Sequence, residues 1–135
     1  MSHNTVQSLN ILIADDELEV ADTIAQILRR SGHSVDLAGD GTAAWARLEA
    51  APGHYHVLIT DSGMPGMSGI QLVRKLRATA DPCKIIFLTG DVDDEIEEEC
   101  KALGVEKMML KPSSLIAIRN EVQSLGAGMG AAKPN

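Results

Sequence analysis

Five short apolar segments, LNILIA (9–14), SVDLA (34–38), HVLIT (56–60), KIIFLT (84–89) and EKMML (106–110), are separated by stretches in which apolar residues recur every three or four positions. Short runs that are apolar at nearly every position suit strands buried on both faces. The stretches between them predict helices. Val20, Ile24, Ile27 and Leu28 make one stripe, Ala44 and Leu48 with Trp45 beside them a second, and Ile70, Val73 and Leu76 a third. Ile96, Cys100 and Leu103 make a fourth, and Leu115, Ile118, Val122 and Leu125 a fifth. Strand and helix in strict alternation imply right-handed crossovers and a parallel sheet covered on both faces, a (βα)5 architecture of the α/β class. Ser31-Gly32, Asp40-Gly41, Pro52-Gly53, Asp81-Pro82 and Gly104 fall where this pattern needs connections.

A chain of 135 residues supports one core, so a single domain is expected over 8–125, after an N-terminal extension (1–7). Residues 126–135 (GAGMGAAKPN) are small and Gly-rich and are read as a flexible tail or linker. Aromatics are confined to Trp45, Tyr55 and Phe87, so the core must be aliphatic. A net charge of −7 opposes a phosphate backbone, and neither nucleic acid nor anionic lipid is an expected partner. No apolar run approaches the length of a membrane span and the first residues lack a signal-peptide pattern, so a cytoplasmic location is expected. Cys83 and Cys100 do not form a CxxC pair and are read as reduced.

In an open parallel sheet, ligands bind beyond the carboxyl ends of the strands. Here those ends carry Asp15 and Asp16 after the first strand, Asp61 at the third, Thr89 at the fourth and Lys111 at the fifth. Three gathered carboxylates repel one another, and the remedies are a shared proton or a hard cation. Magnesium suits them, since it needs few protein carboxylates, keeps some waters and bridges to phosphate oxygens. The charge of Lys111 and the hydroxyl of Thr89 suit an anionic phosphoryl group.

The motifs IADDE (13–17), TDSGMPGMSG (60–69), LTGD (88–91) and LKP (110–112) occur in that order, each at the end of an apolar strand. Across roughly residues 8–125 the chain resembles the receiver domain of two-component response regulators. The resemblance implies a flavodoxin-like sheet in the order 2-1-3-4-5. It implies that Asp61 is the phosphoacceptor and that Asp16 binds Mg2+ directly and Asp15 through water, with the Gly63 carbonyl as a further ligand. Thr89 would hydrogen-bond a phosphoryl oxygen, Lys111 would pair with the phosphoryl group, and the bond to Pro112 would be cis. Asp91 is expected at the mouth of the site. The implied donor is a histidine kinase or histidine phosphotransfer protein. The implied output is a protein partner on the face of the fourth helix, fifth strand and fifth helix, with the chain a monomer or a weak activation-dependent dimer. It would be a signalling domain that catalyses its own phosphorylation and slow dephosphorylation, either standing alone or as part of a larger protein.

Three positions depart from the family pattern. Ser68 stands where an acid is common, Ser113 where an aromatic often follows Lys-Pro, and Met108 where a Tyr or Phe reports phosphorylation. The coupling to the output face is therefore expected to run mainly through Thr89. Two other readings compete. Phosphatases of the haloacid dehalogenase type place a second acid two residues after the nucleophilic Asp, but Gly63 follows Asp61 there, and Glu17 follows Asp15. A phosphorylation-independent interaction module would have no need of the intact acceptor set. Elsewhere, His54 and His56 lack a third metal ligand and are read as solvent-facing, and DVDDEIEEE (91–99) as the solvated, favourably charged start of the fourth helix. A docking surface for a basic partner is the alternative use of that run. Met108 and Met109 are read as strand packing, and Met64 and Met67 as loop residues placed to cover the site.

Overall fold

The computed structural model describes residues 8–91, 93–111 and 114–131. The N-terminal extension, Pro112 with the bond before it, and Ser113 lie outside these residues. Strand and helix alternate as β1 (Asn10–Ala14), α1 (Leu18–Arg30), β2 (Ser34–Ala38), α2 (Gly41–Ala50), β3 (Val57–Asp61), α3 (Gly69–Arg77), β4 (Lys84–Thr89), α4 (Asp94–Ala102), β5 (Lys107–Leu110) and α5 (Leu115–Ala131). The strands form one sheet in the order β2-β1-β3-β4-β5, parallel at every pairing.

Because side chains alternate across a strand, each apolar run feeds two cores. Ile11, Ile13, Ile59, Ile86 and Leu88 pack with Ile24 and Leu28 of α1 and Ile118 and Val122 of α5. Leu12, Leu58, Ile85 and Phe87 pack on the opposite face with Leu48, Leu72, Leu76 and Cys100. Both methionines of β5 pack as expected, Met109 against the first core and Met108 against the second.

Local sequence sets the helix starts. Asp40 caps α2 by accepting from Ala43 N–H at 2.7 Å. Ser68 and Gln71 form a reciprocal capping box on α3, which gives a structural reason for a serine at a position where an acid is common. Asp93 caps α4, whose first turn holds Asp94, Glu95 and Glu97 against the positive helix end. Arg77 at the end of α3 donates to the carbonyls of Cys83, Leu103 and Gly104 and pairs with Glu106, whose Oε1 also accepts Ile85 N–H. One guanidinium thus ties α3 to the starts of β4 and β5.

Four expectations are corrected. Helix α5 continues through Ala131 where a flexible tail was expected to begin at 126; Leu125 packs on the core and Gly126 is buried, and packing there works against the roughly 1 kcal/mol that a helical glycine costs relative to alanine. Val20 belongs to the first stripe by spacing but is 39% exposed, because the stripe's buried centre lies at Ile24 and Leu28. Met64 and Met67 do not cover the acidic cluster; they pack against the core formed with α2, α3 and α4. His56 does not face solvent freely, since its Nδ1 accepts Asn10 N–H at 2.9 Å.

On the other side of β1, the buried His33 accepts Leu9 N–H on Nδ1 at 3.1 Å. An accepting Nδ1 puts the neutral ring's proton on Nε2, which is buried and without a hydrogen-bond partner. Burial holds this pKa below the ordinary 6.5. The unfolded chain therefore binds the proton more readily, so the stability contributed by neutral His33 is complete above pH 6.5 and declines as the pH falls below it. Urea denaturation at pH 7.5 and 5.0 checks this: the loss on acidification is expected to be smaller in His33→Gln than in the wild type.

Cys83 and Cys100 are free and buried. Burial pushes the Cys83 thiol up to about 12, which makes it unreactive at neutral pH.

Candidate functional site

A parallel sheet aligns the carboxyl ends of all its strands along one edge, and β1 and β3 are neighbours in the middle of it. Asp15, one residue beyond β1, is buried and fixed by backbone on two sides. Its N–H donates to the Ala38 carbonyl at 3.1 Å, and its Oδ1 accepts Glu17 N–H at 2.9 Å. Asp61 closes β3 and is 8% exposed, with Oδ1 accepting Ser62 N–H at 2.9 Å. Asp16 is exposed at the rim. The three carboxylates each bring an oxygen within 4.8 Å of the others, the only such group of possible metal ligands among the described residues.

Among the described residues, one cation pairs with this charge. The Lys111 ammonium lies 3.3 Å from Asp61 Oδ1, 3.2 Å from Asp15 Oδ2 and 3.0 Å from Glu17 Oε1. Burial alone lowers its pKa, but the three carboxylates outweigh that and hold it charged well above the usual lysine range. Asp61 is pushed up, first by desolvation and then by Asp15, with Lys111 and the Ser62 amide acting against them. Two buried carboxylates and a third at the rim exceed the charge of one ammonium, and an all-oxygen donor set of this kind fits a hard divalent cation.

A cavity of about 890 Å3 opens beside the cluster, its lining including the polar Asp16, Asp61 and Lys111, the bare backbone of Gly63, and the apolar Val20, Ile24 and Ile118. Gly63 adds no bulk beside Asp61, and a Cβ built there meets nothing within 4 Å. The position two residues after Asp61 therefore presents neither an acid nor a wall, against the requirement of a haloacid dehalogenase-type phosphatase.

Thr89 is placed differently. It ends β4, 5% exposed, with the side-chain parity of Ile85 and Phe87. Its hydroxyl donates to the Asp91 carbonyl at 2.9 Å and accepts Asp91 N–H at 3.3 Å. It is satisfied locally and does not line the cavity, whereas Gly90 does. Asp91 is exposed. Met108 is half-buried on the same face of the sheet as Phe87, its register partner in β4. The structure thus gathers Asp15, Asp16, Asp61, Gly63 and Lys111, and leaves Thr89 and Met108 on the side of α4. Glu17 was missed as a site residue. Its position directly after Asp15-Asp16 was the available signal, but nothing local ties it to a lysine 94 positions away.

The chain belongs to the response regulator receiver domain family, whose model matches residues 11–123. It is a receiver domain of two-component signalling systems. It is 30% identical to the response regulator receiver protein CpdR of Brucella abortus over 85% of this chain and 94% of that protein. It is 33% identical to the sensor protein EvgS of Escherichia coli over 88% of this chain, but spans only 10% of EvgS. The receiver domain of the Francisella response regulator 1452 superposes with a TM-score of 0.83 at 25% identity, covering 90% of this chain and 99% of that one. Among the described residues, no helix is long and apolar enough to cross a membrane.

Proposed function

We propose that the chain is a cytoplasmic phosphoacceptor switch in which Asp61 takes the phosphoryl group of a phosphohistidine. The observation that carries this reading is a buried carboxylate at the end of the central strand, 3.3 Å from a lysine and clustered with two further acids at the floor of an open cavity. An Asp61 oxygen forms a bond to phosphorus as the bond from phosphorus to the imidazole nitrogen breaks, and the imidazole takes a proton. Lys111 stabilises the charge on the transferred group, and Asp61 is held in line by Ser62 N–H. Asp15, Asp16, Asp61 and the Gly63 carbonyl would hold Mg2+, which when bound neutralises charge between carboxylates and phosphoryl oxygens. Water attacking phosphorus beside the open Gly63 position would release phosphate and restore the carboxylate.

The donor is a histidine kinase or a histidine phosphotransfer protein. CpdR is nearly all receiver, and EvgS is a sensor protein of which this unit matches a tenth, so both a stand-alone regulator and a segment of a larger protein accord with the likeness. For output, Thr89 releases Asp91 and turns its hydroxyl to the phosphoryl group. Met108 follows less sharply than an aromatic ring would, because a flexible thioether fills a gap without two distinct positions. The partner meets the face of α4, β5 and α5, and the chain is a monomer or a weak dimer on activation.

Acetyl phosphate with Mg2+ is expected to add one hydroxylamine-labile phosphoryl group, read by intact mass. Labelling that proceeds equally in excess chelator contradicts the reading. Asp16→Ala keeps the acceptor but removes a proposed direct ligand, so Mg2+ affinity is expected to fall at least about tenfold, the lower end of what loss of supporting groups costs at metal sites. Unchanged affinity by titration places the metal elsewhere.

A further inference from the structure

We propose that Glu17 is a positioning residue that holds Lys111 in the resting state and competes with the phosphoryl group for it; this rests on the reading of Asp61 as phosphoacceptor. An ammonium has three N–H donors, and three carboxylates surround Lys111. Glu17 makes the shortest of the contacts, at 3.0 Å. Its surroundings differ from those of the other two. Its side chain is 61% exposed, against 1% for Asp15 and 10% for Asp61. It sits at the N-cap of α1, yet its side chain makes no cap hydrogen bond and reaches to Lys111 instead. Its own N–H is bound to Asp15 Oδ1, which fixes the backbone from which that side chain extends.

An arriving phosphoryl group brings several oxygen acceptors and needs a donor from Lys111. Asp15 is buried and stranding its charge is costly, and Asp61 carries the phosphoryl group itself. Glu17 can turn into water at little cost, so its contact is the one exchanged. A contact present only in the resting state biases the equilibrium against the phosphorylated state. Because Glu17 is exposed, the bias is modest, on the order of two- to fivefold, as for other exposed ion pairs.

The experiment measures beryllofluoride affinity in saturating Mg2+ for wild type, Glu17→Gln and Glu19→Gln, alongside the Lys111 side-chain methylene shifts of each free protein by NMR. Glu19 lines the same cavity without contacting Lys111, so Glu19→Gln removes the same charge and controls for long-range attraction of an anion. Glu17→Gln is expected to bind beryllofluoride two- to fivefold tighter and to move the Lys111 resonances, with Glu19→Gln doing neither and all three melting alike. Equal affinity in wild type and Glu17→Gln, or an equal gain in both variants, overturns the competition. If wild type binds no beryllofluoride while the Lys111 resonances still move in Glu17→Gln, the ion pair stands, but the phosphoacceptor reading falls and the proposal falls with it.

Discussion

Asp61→Asn is expected to take up no phosphoryl group from acetyl phosphate or from a phosphohistidine donor, with labelling reduced by a factor on the order of a thousand or more, as when other nucleophiles are removed. The substitution keeps the shape of the side chain and an oxygen that can accept Ser62 N–H. It removes the charge that makes that oxygen nucleophilic. Stability is expected to move the other way. Asp61 is pushed up by desolvation and by Asp15. The folded state therefore holds that proton more tightly than the unfolded chain does. The stability linked to it is complete below the usual carboxylate range and is lost as pH rises through the raised value. An amide does not ionise, so at pH 7 in the absence of divalent cations the variant is expected to melt at or above the wild-type temperature, with Lys111 still paired to Asp15 and Glu17. Intact mass after labelling and thermal melts on the same samples check both parts. Retained label sinks the acceptor assignment. Lost label together with a large drop in melting temperature attributes the loss to misfolding and not to chemistry.

Gly69→Ala is expected to destabilise the fold and damage the site together. Gly69 opens α3, and its N–H donates to the Ser62 carbonyl at 2.9 Å, drawing the helix start against the strand that carries Asp61. A Cβ at Gly69 falls 2.2 Å from the Asp61 carbonyl oxygen and 3.1 Å from the Phe87 ring. Neither neighbour yields easily, since one is backbone in a central strand and the other a fully buried ring. Overpacking of this kind costs roughly 2–3 kcal/mol, which for a domain of this size lowers the melting temperature by roughly 10 °C. The strain lands on the residue bearing the proposed acceptor, so the rate of labelling is expected to fall as well at temperatures where the variant is folded. A wild-type melting temperature and labelling rate in Gly69→Ala contradict the close approach. The same crowding exists at Gly41, where a Cβ falls 2.0 Å from the Met67 carbonyl oxygen, but neither residue lines the cavity beside the acidic cluster.

Much of this was legible in the residues because it rests on local periodicity and one topological rule. Continuous apolar runs such as KIIFLT read as strands buried on both faces, and they became exactly such strands through alternation between two cores. Once strand and helix alternate, right-handed crossovers force the strands parallel, and parallel strands bring their carboxyl ends to one edge. Residues as distant as Asp15, Asp61 and Lys111 could therefore be assigned to one site by their positions at strand ends alone. The motifs extended that inference to a family, which the comparisons bear out.

What the sequence by itself determined, then, was the architecture and the meeting of Asp15, Asp16, Asp61 and Lys111, since both follow from patterns repeated along the chain. Only the tertiary structure decided how side chains use the space between elements. The pairing of Glu17 with Lys111, the Leu103 and Gly104 carbonyls gathered by Arg77, and the imidazoles of His33 and His56 accepting the successive amides of Leu9 and Asn10 all join residues remote in sequence. Each depends on which way a side chain leaves its element and on what else is within about 3 Å, neither of which periodicity encodes. The same holds for Thr89, whose hydroxyl is bound to Asp91 outside the cavity, and for the start of the Gly-rich stretch, where α5 runs on past Leu125, packed on the core, and the buried Gly126. Local preference there amounts to about 1 kcal/mol per residue, small enough for contacts across the fold to outweigh it.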